Sequence, residues 1–179
     1  MVAGLDVRDA RIAYGKVTAV DGVSLQVPPG SVVGLLGPSG SGKSTLLRGI
    51  AGLEPLVGGS VSWDGEDLVG VKVFKRNFGM VFQDAQLFPT MSVGRNIAYG
   101  LGKLGRAEQR ARVEEMLDLV GLPGYADRRP TELSGGQAQR VALARSLAPS
   151  PRALLLDEPL SALDTGLRRR LAEDLSRIL

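Results

Sequence analysis

Residues 37–45, GPSGSGKST, combine the residue types that bind a polyphosphate. Gly37, Gly42, Lys43 and Ser44 match the spacing G-x4-G-K-[ST] of a phosphate-binding loop. Glycines let successive backbone N–H groups turn inward around phosphates, and a helix that begins near Lys43 adds the positive end of its dipole. We expect Lys43 to reach the β- and γ-phosphates and the Ser44 hydroxyl to bind Mg²⁺. The residues predicted to contact nucleotide are Gly37, Pro38, Ser39, Gly40, Ser41, Gly42, Lys43, Ser44 and Thr45.

A second candidate site is an acidic pair, Asp157 and Glu158, directly after the apolar run Ala153–Leu156. Carboxylates at the carboxyl end of a buried strand lie where open α/β sheets bind ligands. We expect Asp157 to hold Mg²⁺, directly or through water, and Glu158 to be the base that orients the attacking water. A solvated pair at a strand end is the alternative. The upstream phosphate loop favours the functional interpretation.

The elements around these residues follow from hydrophobic patterning. Alternating apolar residues in 5–7 and 23–27 predict half-buried strands of an antiparallel N-terminal sheet. The continuous apolar run 32–36 predicts a strand covered on both faces, and the spacing of leucines and isoleucine in 46–50 predicts a helix. The loop therefore sits between a strand and a helix, a context that a flexible Gly/Ser linker does not explain.

The middle of the chain has a different pattern, which predicts a helical insertion between Gln83 and Leu133. Val113, Met116 and Val120 recur at helical spacing, and Gly121 is placed to end that helix. A further helix is predicted over 137–148, followed by a buried strand over 153–156.

Composition limits the possible chemistry. The 179 residues include no cysteine and no histidine, which excludes disulfides, thiolate zinc sites and a histidine base. The net charge is +3 but aromatic residues make up only 4%, so nucleic acid is not an expected partner. The chain contains no apolar run long enough for a membrane span and its N-terminus is charged, so we expect a soluble, cytoplasmic protein.

Several short segments, taken together in order, resemble the ATP-binding cassette family of transporter ATPases over essentially the whole chain. They are the phosphate loop, LSGGQ at 133–137, LLLDEP at 154–159, VFQDAQLFP at 81–89, SALD at 161–164 and an aromatic residue at Tyr14. The resemblance implies an α/β fold of the P-loop NTPase type with a RecA-like core, an N-terminal antiparallel β subdomain and a helical insertion. It further implies ATP and Mg²⁺ as ligands.

The resemblance also assigns roles to residues. It implies a head-to-tail dimer that sandwiches two ATP molecules, with Ser134, Gly135, Gly136 and Gln137 of one subunit contacting the nucleotide of the other. LSGGQ can equally be a plain helix start capped by Ser134, and both interpretations can hold at once.

Further assignments concern nucleotide and metal contacts. Tyr14 is expected to stack on adenine, or else to be a partly buried core residue. Gln83 is expected to meet Mg²⁺ and the attacking water, or else to be a surface amide. The implied catalytic residues are then Glu158, Gln83 and Lys43, and the implied metal ligands are Ser44, Gln83 and Asp157.

The function implied is the ATP-hydrolysing subunit of a membrane transporter, most similar to bacterial importer cassettes that work with separate permeases. Such a subunit is peripheral at the cytoplasmic face of the membrane. Its helical subdomain and the region around Gln83 would contact the permease. Phe88 would form part of a groove that accepts a helix of the permease. The alternatives are a soluble cassette ATPase acting on ribosomes or DNA, and an unrelated P-loop kinase or GTPase, which LSGGQ disfavours.

Domain boundaries and chain length complete these expectations. We expect one ABC ATPase domain over 1–179, with a catalytic core of 1–87 and 135–179 and a helical subdomain of about 88–134. The family places a histidine beyond the catalytic glutamate, and this chain has none. We therefore expect a C-terminal part to be missing and this fragment alone to be poorly active.

Overall fold

The computed structural model describes residues 4–157, which divide into two compact units, 4–78 and 79–157. Glu158 and the segment 161–164 lie outside the described residues. The division into a catalytic core and a helical subdomain at 88 and 134 stays a prediction. Within 4–157, no helix combines the length and hydropathy that a membrane crossing requires.

The first unit contains the antiparallel sheet that the sequence predicts. Its four strands lie in the order β2-β1-β3-β4 and are β1 (Leu5–Tyr14), β2 (Val17–Val27), β3 (Gly58–Trp63) and β4 (Glu66–Asp67). Every neighbouring pair is antiparallel. Strand β1 is central, and its Leu5 lies opposite both Val27 and Trp63. Its apolar side chains Leu5, Val7 and Ile12 are buried and form one wall of the core.

Helix α1 (Lys43–Ala51) covers this sheet. It buries Leu46 and Ile50, two of the apolar positions expected from helical spacing, together with Ala51, while the expected Leu47 is half-buried. The helix approaches β1 closely at Gly49, where a Cβ atom would meet the Ile12 side chain. Gly52 ends the helix in the left-handed conformation. The helix that follows the phosphate loop is therefore fixed against β1 by its apolar face.

The prediction of a buried strand over 32–36 is wrong in this structure. Residues 31–38 form neither helix nor strand, and Val32 and Leu36 are 79% and 97% exposed. A buried strand needs neighbours for its backbone N–H and C=O groups. Among residues 4–157, both sheets are formed by other segments, so nothing pairs with this run.

The second unit surrounds a helical core. Its elements are β5 (Phe78–Val81, of which Phe78 closes the first unit), α2 (Val93–Ala98), α3 (Arg106–Leu119), α4 (Gly135–Leu147) and β6 (Ala153–Leu156). Val113, Met116 and Val120 are buried against α4 residues such as Val141, as helical periodicity predicts. Gly121, at φ +67°, follows α3, which confirms its predicted place at the end of this helix.

The carboxyl end of α4 is held from α3 by Arg112. Its Nε donates to the Ala148 carbonyl at 3.0 Å, and its Nη2 donates to the Leu147 carbonyl at 3.3 Å and to the Ser150 hydroxyl at 3.0 Å. Nη1 pairs with Glu115 at 2.8 Å. A cation thus satisfies terminal carbonyls of α4 that have no partner within the helix.

In the first unit, the buried Arg76 plays a similar part for α1. Its guanidinium donates to the Ile50 carbonyl at 2.8 Å and to the Leu68 carbonyl at 2.6 Å, and Nε donates to the Val71 carbonyl at 3.1 Å. Burial lowers the pKa of this guanidinium, and the charge of Asp67 partly opposes the shift. Arg76 therefore joins the end of α1 to the segment after β4.

We expect Arg76→Met to destabilise the protein by about 2–4 kcal/mol, because it keeps an apolar stem but leaves buried carbonyls without a donor. Chemical denaturation followed by circular dichroism measures the change. The neighbouring exposed Lys75→Met is the matched control and should change stability by less than about 0.5 kcal/mol. Equal stability of the two variants would contradict the role given to Arg76.

Candidate phosphate-binding and acidic sites

The phosphate loop ends at Gly42, whose backbone no other residue could adopt without strain. Its φ is +87°, and a Cβ atom there would collide with the backbone carbonyl of Ala19 in β2. Gly40 also has a positive φ, +79°. At Gly37 a Cβ would lie 2.8 Å from the Ser41 hydroxyl. The glycines therefore serve a tight loop packed on β2, as the motif predicts.

Helix α1 begins at Lys43 with its first turn directed into this loop. Gly42, the N-cap, has no side chain to accept from the first-turn N–H groups, and the first turn contains no acidic residue. An uncapped helix N-terminus beside a basic side chain attracts anions. This end of α1 is thus suited to phosphate.

Lys43 lies across the loop rather than pointing away from it. Its Nζ donates to the carbonyls of Gly37 at 2.9 Å and Pro38 at 2.8 Å, and lies 3.5 Å from the Ser41 hydroxyl. The loop therefore keeps the ammonium at the position where a bound phosphate chain would need it, and a phosphate would replace these carbonyls as its partner.

In the second unit, β5 and β6 form a two-stranded sheet. They run in the same direction, because Gly79 lies against Leu154 while the Asp157 N–H, just after β6, donates to the Val81 carbonyl at 2.9 Å. Asp157, which is buried, and Gln83, which is exposed, follow the carboxyl ends of the two strands. The structure thus brings these predicted residues to one edge, and their oxygen atoms suit Mg²⁺.

The LSGGQ segment, residues 133–137, forms the start of α4. The Ser134 hydroxyl accepts from the Gln137 N–H at 3.3 Å, and the Gln137 amide oxygen accepts from the Ser134 N–H at 2.9 Å. This reciprocal pair is a capping box. Gln137 Nε2 also donates to the Tyr125 hydroxyl at 3.3 Å. The plain helix-start interpretation of LSGGQ is therefore confirmed, and Gly135 and Gly136 lie in its first turn.

Two side chains of α4 hold the main chain of the segment after β5, which the sequence did not reveal. Gln139 Nε2 donates to the Gln83 carbonyl at 2.9 Å. Arg145 donates to the carbonyls of Ala85 at 3.2 Å and Gln86 at 2.9 Å. Burial lowers the pKa of the Arg145 guanidinium. Both residues are polar positions in a helix, but their partners are more than 50 residues earlier in the chain.

The rest of that segment is fixed by Asn96, which is completely buried. Its side chain accepts from the Phe88 N–H at 2.8 Å and donates to the carbonyls of Phe88 and Ser92 at 3.1 and 3.0 Å. The half-buried Phe88 ring lies 4.6 Å from the ring of Tyr99, which is exposed. The loop over 88–92 is thus ordered around one amide.

An open depression of about 820 Å³ lies between α2, α3 and residues 124–127 of the second unit. Its charges are mixed: Arg95, Arg106 and Arg110 face it along with Glu114 and Asp118.

In the first unit, Tyr14 ends β1 and is 47% exposed, so it is not a core residue.

Comparisons with known proteins identify the family of the chain. The family described as ABC transporter matches residues 20–161. The Fe(3+) ions import ATP-binding protein FbpC of Streptomyces coelicolor is 54% identical over 176 residues, 97% of this chain and 51% of the relative. The sulfate/thiosulfate import ATP-binding protein CysA 2 of Chromobacterium violaceum is 53% identical over 163 residues, 90% of this chain and 44% of the relative. The chain thus spans about half the length of the curated relatives it matches.

A solved structure supports the fold. The dimeric post-hydrolysis state of the ATP-binding cassette MJ0796 bound to ADP and Pi superposes with a TM-score of 0.87 at 32% identity, covering 94% of this chain and 80% of that one. This similarity confirms the expected α/β cassette fold with an N-terminal antiparallel sheet.

We expect Gly42→Ala to weaken nucleotide binding at least about tenfold, because the strained backbone and the collision with Ala19 together cost more than about 1.4 kcal/mol. Titration with a fluorescent ATP analogue measures the affinity. Gly34→Ala is the control, since a Cβ at Gly34 meets open space. Unchanged affinity in Gly42→Ala would contradict the structural role of this glycine.

Proposed function

The chain belongs to the ABC transporter family, and on this premise we propose that it is the ATP-binding and ATP-hydrolysing part of a bacterial importer. The observation that carries the proposal is the uncapped start of α1, where Lys43 lies across a glycine loop. Backbone N–H groups, a helix dipole and an ammonium converge there on one place, which is the arrangement that phosphoryl transfer requires.

At this loop, residues 37–45 would hold the phosphates, and Tyr14 would stack on adenine with its exposed ring. Lys43 would exchange the carbonyls of Gly37 and Pro38 for the β- and γ-phosphates. The Ser44 hydroxyl would provide one ligand to Mg²⁺, which when bound neutralises phosphate charge. The loop's preformed geometry reduces the entropy lost on binding.

The remaining catalytic roles fall to residues at and after the carboxyl edge of β5 and β6. Asp157 would hold the metal, directly or through water, and Gln83 would contact both the metal and the attacking water. Glu158, outside the described residues, would accept the proton of that water. The chemistry of the donors supports this assignment, since hydroxyl, amide and carboxylate oxygens are what Mg²⁺ prefers.

We further propose a head-to-tail dimer in which the LSGGQ segment contacts the neighbour's ATP. The capping box leaves the backbone N–H groups of Gly135 and Gly136 in the first turn of α4, where a γ-phosphate would be stabilised. The similar MJ0796 cassette is itself a dimer bound to ADP and Pi, which supports this assembly. ATP binding would close the dimer, and hydrolysis would open it.

The partners beyond the dimer would be membrane-embedded permease subunits, which place the protein at the cytoplasmic face of the membrane. The open depression beside α2 and α3, together with the loop around Phe88, offers them a surface with both charged and apolar groups. The relatives' names mention ferric ions and sulfate or thiosulfate, which supports import of a small inorganic solute. The catalytic core would be 1–87 and 135–179, with the helical subdomain at about 88–134.

We expect Lys43→Ala to abolish measurable ATP hydrolysis, because it removes the cation that meets the β- and γ-phosphates. A coupled phosphate-release assay measures turnover. The exposed Lys103→Ala carries the same charge change and should retain wild-type turnover. Near-normal hydrolysis by Lys43→Ala would disprove the proposed site.

We expect Ser134→Arg to bind ATP as the wild type does but to hydrolyse none, because the serine acts on the neighbour's nucleotide. Mixing Ser134→Arg with Lys43→Ala should restore part of the activity, since each mixed dimer contains one intact composite site. A mixture that stays inactive while wild-type protein turns over would contradict independent composite sites.

A further inference from the structure

Helix α4 carries Ser134 at its start and also grips the segment that contains Gln83. Gln139 binds the Gln83 carbonyl, Arg145 binds the Gln86 carbonyl, and the Arg145 guanidinium lies 5.3 Å from the Phe88 ring. Six residues of helix span about 9 Å. The segment 83–88 is therefore laid along α4 over nearly two turns.

We propose that Gln139 is a positioning residue that fastens Gln83 to α4, so that Gln83 moves with the helix that carries Ser134. This inference rests on the proposed function, in which Gln83 serves the subunit's own ATP and Ser134 serves the neighbour's. The hydrogen bond from Gln139 Nε2 to the Gln83 carbonyl, 2.9 Å long, is the direct link.

The other atom of the same amide makes no hydrogen bond of its own within residues 4–157. Its Oε1 is buried and has no hydrogen-bond partner among the described residues. An unpaired buried carbonyl oxygen costs free energy that an apolar side chain of the same size would avoid. Gln139 carries this cost and makes one hydrogen bond, to Gln83. A role in positioning Gln83 explains its presence better than a role in stability does.

The position of Gln83 in the chain explains why its hydrogen bond to Gln139 matters. Strand β5 ends at Val81, so Gln83 is only two residues beyond a rigid element. Three residues after Gln83, Gln86 has a left-handed backbone with φ +45°, and its carbonyl accepts from Arg145, as the Ala85 carbonyl does. A shift of α4 relative to β5 must therefore bend the chain at residues 82–83 and re-aim the Gln83 side chain.

In a dimer this link connects the two nucleotides. The start of α4 would respond to the neighbour's γ-phosphate, and the Gln83 segment, held further along the same helix, would respond with it. ATP in one site then biases the position of the amide that serves the other. Coupling of this kind is an equilibrium between two positions of one element, with both sites acting on it.

The experiment compares Gln139→Met, which keeps the size but loses the donor, with Gln139→Glu, which keeps the shape but places a carboxylate against the Gln83 carbonyl. We expect kcat to fall about 3- to 10-fold in both variants. A fall of this size corresponds to the loss of one hydrogen bond at a positioning group. In Gln139→Met the ATP affinity and Tm should match the wild type, because the unpaired buried oxygen is removed together with the donor.

The matched control is Gln109→Met. Gln109 Nε2 also donates to main-chain carbonyls, those of Leu101 at 3.1 Å and Leu104 at 3.0 Å, but it does not contact residues 83–88. We expect this variant to lower Tm and to leave basal kcat within about twofold of wild type. A Gln139→Met variant with unchanged kcat would overturn the proposal. So would a variant whose fall in Tm is large enough to account for its loss of kcat.

Amide hydrogen exchange of residues 82–88 gives a readout that does not depend on hydrolysis. Exchange in Gln139→Met should be faster there than in the wild type, while residues 101–104 stay unchanged. If the wild type neither binds nor hydrolyses ATP, the proposed function fails, and the exchange result alone tests whether Gln139 holds Gln83. Faster exchange would then support the hold on Gln83, and equal exchange would overturn it.

Discussion

The structure depends on one constraint: the first-turn N–H groups of α1 and α4 have no partner within the helix, and both helices leave some of them open. At α1 this is achieved with Gly42, a residue that has no side chain to form a cap, and the cost is a loop that cannot form without close packing on Ala19. At α4 the solution differs, since Ser134 and Gln137 cap each other and two glycines keep the remaining first turn open. Both solutions require support from outside the helix, because backbone groups arranged for a ligand contribute little to folding by themselves.

That support comes from buried and half-buried cations and amides that bind carbonyls. Arg76 joins the end of α1 to the segment after β4, Arg112 joins α3 to the end of α4, and Asn96 orders the loop after Gln83. Each of these side chains replaces water at carbonyl groups that strands or helices do not satisfy. The apolar core fixes where the elements lie, whereas these polar side chains fix how the loops leave them.

Much of this arrangement was predictable from the sequence, because it rests on local patterns. The glycine spacing predicted the loop, the periodicity of Val113, Met116 and Val120 predicted α3, and Ser134 predicted the start of α4. The strand prediction at 32–36 failed for a definite reason. An apolar run indicates that a strand can be buried, but it does not indicate which segment pairs with that strand. The contacts of Gln139 and Arg145 could not be predicted for the same reason, since their partners lie far away in the sequence and are main-chain carbonyls, which every residue type provides.

The clamp of Arg112 on the carbonyl end of α4 has a mechanical consequence. With that end pinned, the 13-residue helix acts as a lever of about 20 Å, at a rise of about 1.5 Å per residue. Active-site groups must be held to within about 0.5 Å to work, which on such an arm corresponds to a rotation of only about 1–2°. A pivot with three hydrogen bonds to one planar guanidinium resists rotation far better than a single contact would. The position of Ser134 at the start of the helix is therefore set at the opposite end, by the side chain of Arg112.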